Sequence, residues 1–173
     1  IILMKASKKH KEIIQTKFSE LNSREAFLDL LNFAKPLVYG ENTKPFELNQ
    51  LTYFLNPKYR NKAYSQFTIK KKSGSNRTIT APKPGLKSIQ ITLNFILNCV
   101  FVPDSAATGF VPGKSIVNNA RIHQNKNYVL NLDLKDFFPS IDQARVWACL
   151  KLPPFNLIEN KKQSPVDKIH KGY

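Results

Sequence analysis

The chain has 173 residues, enough for one domain with a hydrophobic core or for a domain with an extension. Hydrophobic residues make up 42%, charged residues 23% and aromatic residues 11%, which is ordinary, but 27 Lys and Arg against 12 Asp and Glu leave a net charge of +15. That excess favours a polyanionic partner, nucleic acid ahead of membrane, and no stretch is long and apolar enough to span a bilayer.

The opening Ile1-Ile2-Leu3 is too short for a signal-peptide core and no basic residues precede it. A chain that begins with Ile is expected to be an internal fragment. The first third then reads as helical. Ser23 stands where it can cap a helix running to about Ala34, with Phe27, Leu30, Leu31 and Ala34 at helical spacing and Glu25 and Asp29 early in it. Pro36 and Gly40 are expected to end it. Phe46, Leu48, Leu51, Phe54 and Leu55 predict a second, short helix that stops before Pro57.

The pattern changes at Tyr64. Tyr64-Ser65-Gln66-Phe67-Thr68-Ile69-Lys70 and Arg77-Thr78-Ile79-Thr80 have strand composition, and the turn-rich Lys71-Lys72-Ser73-Gly74-Ser75-Asn76 between them makes a hairpin with a basic loop. From Pro84 to about Val102 a helix is expected, with Leu86, Ile89, Leu93, Ile96, Leu97 and Val100 on its apolar face. Lys87, Gln90, Asn94 and Asn98 form a narrower polar stripe, which suits a helix buried around most of its circumference. Pro103 closes it. Another helix is expected from Ser115 to about Gln124. Tyr128-Val129-Leu130-Asn131-Leu132-Asp133-Leu134 then reads as a core strand, with Asp133 at its end. Pro139 breaks the following turn, and Asp142 caps a last helix carrying Val146, Trp147 and Leu150. Residues 156–173 read as a poorly ordered polar tail. Cys99 and Cys149 lie among apolar residues with no His or Cys at ligand spacing, so both are expected to be buried reduced thiols, in keeping with cytoplasm.

Three segments carry chemistry. Asp133 ends an otherwise apolar run, and Asp136, Phe137 and Phe138 follow on a turn where polar residues are usual. Nucleotidyl transfer needs carboxylates at such an edge to hold two divalent ions. The plain alternative is an Asp capping a turn, with both phenylalanines returning to the core. Lys70, Lys71, Lys72 and Arg77 lie around the hairpin tip, where cations can close over a triphosphate; the plain alternative is a solvated basic turn. Thr108-Gly109-Phe110-Val111-Pro112-Gly113-Lys114-Ser115 lacks the first glycine of a phosphate-binding loop and no strand leads into it, which excludes that reading.

Asn131 to Ile141 resembles the A motif of reverse transcriptases, especially those of retrons and group II introns. The resemblance implies that Asp133 binds both catalytic metal ions and that the Leu134 carbonyl reaches one of them. It implies that Phe138 is the gate excluding a ribose 2′-hydroxyl, and that Asp136 and Phe137 approach the incoming triphosphate and sugar. The hairpin is similar to the family's fingers motif, in which Lys71 and Arg77 hold the triphosphate; a register shift of one would give Lys71's place to Lys70 or Lys72. Pro82, Leu86, Lys87 and Gln90 follow in the family's arrangement. Gly109-Phe110, the Pro112-Gly113-Lys114-Ser115 turn and Asn119, Ala120 and His123 resemble the segment linking fingers and palm, and tilt the resemblance towards retrons. Lys70, Lys72, Lys87, Asn119 and His123 are the expected nucleic-acid contacts. His123, on one helical face with Ile116 and Ala120, is expected to be structural or to touch template rather than to catalyse.

The resemblance implies an α+β chain with part of a right-hand polymerase fold: a helical N-terminal extension over 1–60, fingers over 61–126, and the start of the palm over 127–155. It implies an RNA-directed DNA polymerase of the bacterial cytoplasm that uses two Mg²⁺ ions, an RNA template, a primer or cDNA, and dNTPs. A dedicated structured non-coding RNA is left open as a further partner, as is the choice among retron, group II intron, diversity-generating and phage-defence enzymes. The family's Gly-containing B motif and its aromatic-x-Asp-Asp C motif do not occur in the sequence, so the chain alone is expected to be inactive. The alternative is a basic RNA-binding module without catalysis.

Overall fold

The computed structural model describes residues 6–72 and 74–157. The opening apolar triplet lies outside the described residues, as does the expected polar tail beyond residue 157. The chain is α+β, with seven α-helices and one two-stranded antiparallel sheet among the described residues. It divides into two units, Ile2–Val100 and Phe101–Tyr173 with residue 1.

In the first unit, α1 (Lys8–Ser19) is capped by Ser7, whose hydroxyl accepts the His10 N–H. It buries Ile14 and Phe18, a spacing that sequence reading did not single out. Helix α2 (Arg24–Tyr39) begins as expected at Ser23, whose hydroxyl accepts the Ala26 N–H at 3.1 Å. It does not end at Pro36. The proline lies inside the helix, the chain continues for another turn, and the Gly40 N–H donates to the Pro36 carbonyl at 2.8 Å. Proline lacks an N–H but keeps its carbonyl, so a helix close to its end can pass through it. Helix α3 (Leu48–Leu55) has a capping box between Glu47 and Gln50. A 3-10 turn, Pro57–Ala63, leads into β1 (Tyr64–Lys70), which pairs antiparallel with β2 (Asn76–Pro82). Helix α4 (Pro84–Val100) follows.

The core of this unit lies where α1, α2 and α4 pack on one another, with α3 against α2. Ile14, Leu30, Leu31 and Ile96 are fully buried, and Thr92 joins them by donating its hydroxyl to the Ser88 carbonyl at 2.9 Å. Each such aliphatic side chain stabilises by roughly 1.5–3 kcal/mol. Polar clamps hold the helices in register. Gln15 Nε2 donates to the Cys99 carbonyl at 2.9 Å, near the C-terminus of α4. Asn32 both accepts from the Phe46 N–H (2.6 Å) and donates to its carbonyl (3.0 Å), and Lys35 Nζ lies 3.7 Å from the Phe46 ring centroid.

The second unit has α5 (Ile116–Ile122), the single turn α6 (Phe137–Ser140) and α7 (Gln143–Lys151). Ser115 and Asn118 make the capping box of α5, and the Asp142 carboxylate caps α7 by accepting the Arg145 N–H at 2.8 Å. Pro139 sits within α6 rather than breaking it. The core strand expected over 128–134 is not formed: these residues have no regular structure, and Tyr128 and Leu132 are 94% and 77% exposed. A strand needs a neighbour to take its N–H and C=O groups, and no strand pairs with this run among the described residues. Cys149 is likewise exposed, against expectation, because α7 buries none of its residues; Cys99 is buried as expected.

Candidate functional site

The hairpin sets its own register. Ile69 faces Arg77, Phe67 faces Ile79, and Lys70 faces Asn76. Directly paired residues share a face of an antiparallel sheet, so Arg77 lies with Ile69, and Lys70 lies on the opposite face. The loop closes through the Lys71 N–H donating to the Ser75 carbonyl (2.8 Å) and the Gly74 N–H donating to the Lys71 carbonyl (2.9 Å). Gly74 has φ +85°, a left-handed conformation that glycine adopts without a Cβ clash. Lys71 is thus the first loop residue, anchored by its own backbone, and Lys70, Lys71, Lys72 and Arg77 are all exposed. At the hairpin's base the Lys83 N–H donates to the Ala63 carbonyl (2.9 Å) and Gln90 Nε2 donates to the Tyr64 hydroxyl (3.2 Å). Gln90 therefore ties α4 to β1, a role its place in the motif did not disclose. Lys87 is exposed on α4.

In the second unit, Asp133, Leu134, Asp136, Phe137 and Phe138 line one open cavity of about 690 Å³. Asp133 reaches it from an irregular segment, not from a strand end. Asp136 stands at the N-terminal boundary of α6 with φ +52°, a left-handed conformation that a short polar side chain tolerates. The turn after it is held by the Ser140 N–H on the Asp136 carbonyl (3.0 Å) and the Ser140 hydroxyl on the Phe137 carbonyl (2.7 Å). Phe137 and Phe138 meet edge to face at 5.3 Å. Phe110 also lines the cavity, edge-on to Phe138 at 6.1 Å. Its φ of +59° is a strained conformation for a bulky residue, and Lys114 Nζ fixes the preceding loop by donating to the Ser105 and Ala107 carbonyls (2.8 and 2.7 Å). Sequence reading gave Phe110 no role; its place beside a glycine in the fingers-to-palm segment was the available signal.

Asn119 and His123 are exposed and do not line this cavity. His123 ends α5 through its backbone N–H on the Ala120 carbonyl, and its side chain is not packed. The cavity's carboxylates and carbonyl are hard oxygen donors of the kind Mg²⁺ takes. Among the described residues, however, no three His, Cys, Asp or Glu side chains converge as a metal-holding group. The donor set fits part of a divalent-ion site, not a pair of ions. Among the described residues no helix is long and apolar enough to cross a membrane.

The chain is similar in sequence to known proteins over about half of its length. The chain is 47% identical over 91 residues to the retron Mx162 reverse transcriptase of Myxococcus xanthus, a match covering 51% of this chain and 18% of that protein. It is 43% identical over 90 residues to the retron Mx65 reverse transcriptase of the same organism, covering 52% and 21%. It is 34% identical over 99 residues to the retron Ec83 reverse transcriptase of Escherichia coli, covering 57% and 32%. No protein-family model and no solved structure matches. All three of these relatives are reverse transcriptases of retrons. Over the matched half of its length the chain is similar to the reverse transcriptases of retrons. The match spans between about a fifth and a third of those relatives' length.

Proposed function

We propose that this chain supplies the nucleotide-selecting part of an RNA-directed DNA polymerase. The carrying observation is the single cavity that gathers Asp133, Leu134, Asp136, Phe137 and Phe138. In this reading the Asp133 carboxylate and the Leu134 carbonyl hold Mg²⁺, with Asp136 beside them. When bound, the ion neutralises charge on a triphosphate. Phe138 lies against the sugar and leaves no room for a 2′-oxygen, and Phe137 backs it. Lys71 and Arg77 bind the triphosphate, Lys71 as a point charge and Arg77 with two parallel donors. Lys70, Lys72, Lys87, Asn119 and His123 contact the nucleic acid, whose template strand is RNA and whose primer is extended as cDNA. A dedicated structured non-coding RNA is a further partner in this reading, and the bacterial cytoplasm its setting.

Two ions need more carboxylates than this cavity provides, so the chain by itself binds dNTP without incorporating it. The test is calorimetric titration of the 173-residue chain with dNTP and rNTP, with and without Mg²⁺. Asp133→Asn is expected to abolish the Mg²⁺ dependence, and Phe138→Ala to erase the preference for dNTP. Binding that is indifferent to Mg²⁺ and to Asp133→Asn overturns the reading; template-directed incorporation by the chain alone overturns the claim of inactivity. A second reading, RNA binding without catalysis, is favoured by the exposed cations of the hairpin, and predicts salt-sensitive RNA binding with no dNTP binding at all.

A further inference from the structure

We propose that Tyr53 and Tyr59 form a stacking platform for an unpaired base of single-stranded RNA, with Lys58 and Lys62 beside it for the phosphates. The inference rests on the proposed function only in taking RNA as the partner, and it uses none of the residues assigned there.

Tyr53 belongs to α3 and Tyr59 to the 3-10 turn that follows it. Their ring centroids are 4.7 Å apart and their planes differ by 17°, a parallel stack. The neighbouring Phe54 meets Tyr53 edge-on instead, at 5.2 Å and 78°. A parallel pair presents flat faces that another planar ring can extend. The pair is not core. Tyr53 is 39% exposed, and neither ring is among the buried residues of the unit.

Space for a third ring lies alongside. Tyr53 and Phe54 border an open cleft of about 420 Å³. Its other walls are Glu47, Asn49, Gln50 and Gly85, so an aromatic floor meets polar groups suited to the hydrogen-bonding edge of a base. Gly85 keeps the floor uncovered: a Cβ there would come within 3.1 Å of Phe54 Cζ.

Charge selects the occupant. Lys58 and Lys62 are exposed, and neither makes an ion pair among the described residues. Lys62 Nζ lies 5.9 Å from the Tyr59 ring centroid. A ring stack with a cation over one end suits bases strung on a phosphate backbone, the combination found in single-strand binders. A duplex keeps its bases stacked on one another and offers this platform no free face.

The experiment is fluorescence anisotropy of a labelled 12-nucleotide oligo(U) RNA titrated with the full chain at several salt concentrations, beside a duplex RNA of equal length. Tyr53→Leu and Tyr59→Leu are each expected to weaken single-strand binding roughly tenfold, with the salt slope unchanged. Tyr53→Phe keeps the ring and is expected to bind like the parent, which an effect of helix packing through the hydroxyl would not allow. The Lys58→Gln, Lys62→Gln pair is expected to flatten the salt slope by about one to two. Duplex binding is expected to be indifferent to the tyrosine variants. Single-strand affinity within twofold of the parent in both leucine variants, with native far-ultraviolet dichroism, overturns the proposal. So does an equal loss on duplex, or a parent chain that does not bind the oligonucleotide. Failure of dNTP binding in the calorimetric titration leaves the platform standing, and failure here leaves that reading standing.

Discussion

The two units of this chain differ in what they bury. Residues 6–100 contain every buried side chain among the described residues, while no residue in 101–157 is buried. Yet Asp133, Asp136 and Phe138 of the candidate site belong to the second region. Tyr128, Leu130, Leu132 and Leu134 expose most of their surface, in a run with the composition of a strand. Apolar exposure on that scale marks a surface built to be covered. The first region ties its basic hairpin to α4 through Gln90 and to the 3-10 turn through Lys83, whereas the second holds its site through short-range turns: the capped α7, the αL residue Asp136 and the Lys114 latch.

The largest expected effect is on local opening. Amide hydrogen exchange is expected to be slower by on the order of a hundredfold in α2 and α4 than over 126–136, because only the former combine intrahelical bonds with a buried face. Equal protection in both regions, measured by mass spectrometry on the isolated chain, would break the division. Next comes mutational cost. Ile96→Ala, at a fully buried position, is expected to destabilise by about 2–5 kcal/mol, and Leu132→Ala by less than about 0.5 kcal/mol. Urea unfolding followed by helical dichroism reads both, and a large loss from Leu132→Ala would show a core that the second region does not display. Smaller again is the Asn32 clamp on Phe46. Asn32→Ala leaves the Phe46 N–H and carbonyl without their partner and is expected to cost about 1–3 kcal/mol in the same assay.

What was legible in the sequence follows the same division. Ser23, the hairpin and the apolar face of α4 were readable because capping, turn composition and helical periodicity are local signals that the first region's packing reinforces. The extension of α2 through Pro36 was not, since a proline near a helix end keeps the carbonyl that the Gly40 N–H uses. The segment around Asp133 was misread as structure. Its residues line one cavity, but β composition predicts a strand only where another strand is present to pair with it. Gln90 and Phe110 were noted as motif residues, but their contacts, to Tyr64 and to Phe138, are long-range and no local pattern encodes them.

The two cysteines give the smallest and most direct probe of the contrast, one in each region. Cys99 is buried at the C-terminal end of α4, and burial pushes its thiol pKa up, with Lys11 pulling the other way to a lesser degree. Cys149 is exposed on α7. Iodoacetamide reacts with thiolate, so at mildly alkaline pH Cys149 is expected to be alkylated first, and Cys99 only as the first region opens. The sign of the pH effect follows from the raised value. The folded state binds the Cys99 proton more tightly than the unfolded chain does. Its contribution to stability is therefore complete below the ordinary thiol range and is lost as pH climbs through the raised value. The urea midpoint is expected to fall over that alkaline window in the parent chain and to fall less in Cys99→Ala. Alkylation of Cys99 at the rate of Cys149 in the native chain would mean that α1 does not cover the end of α4, and the line between the two regions would have to be drawn earlier.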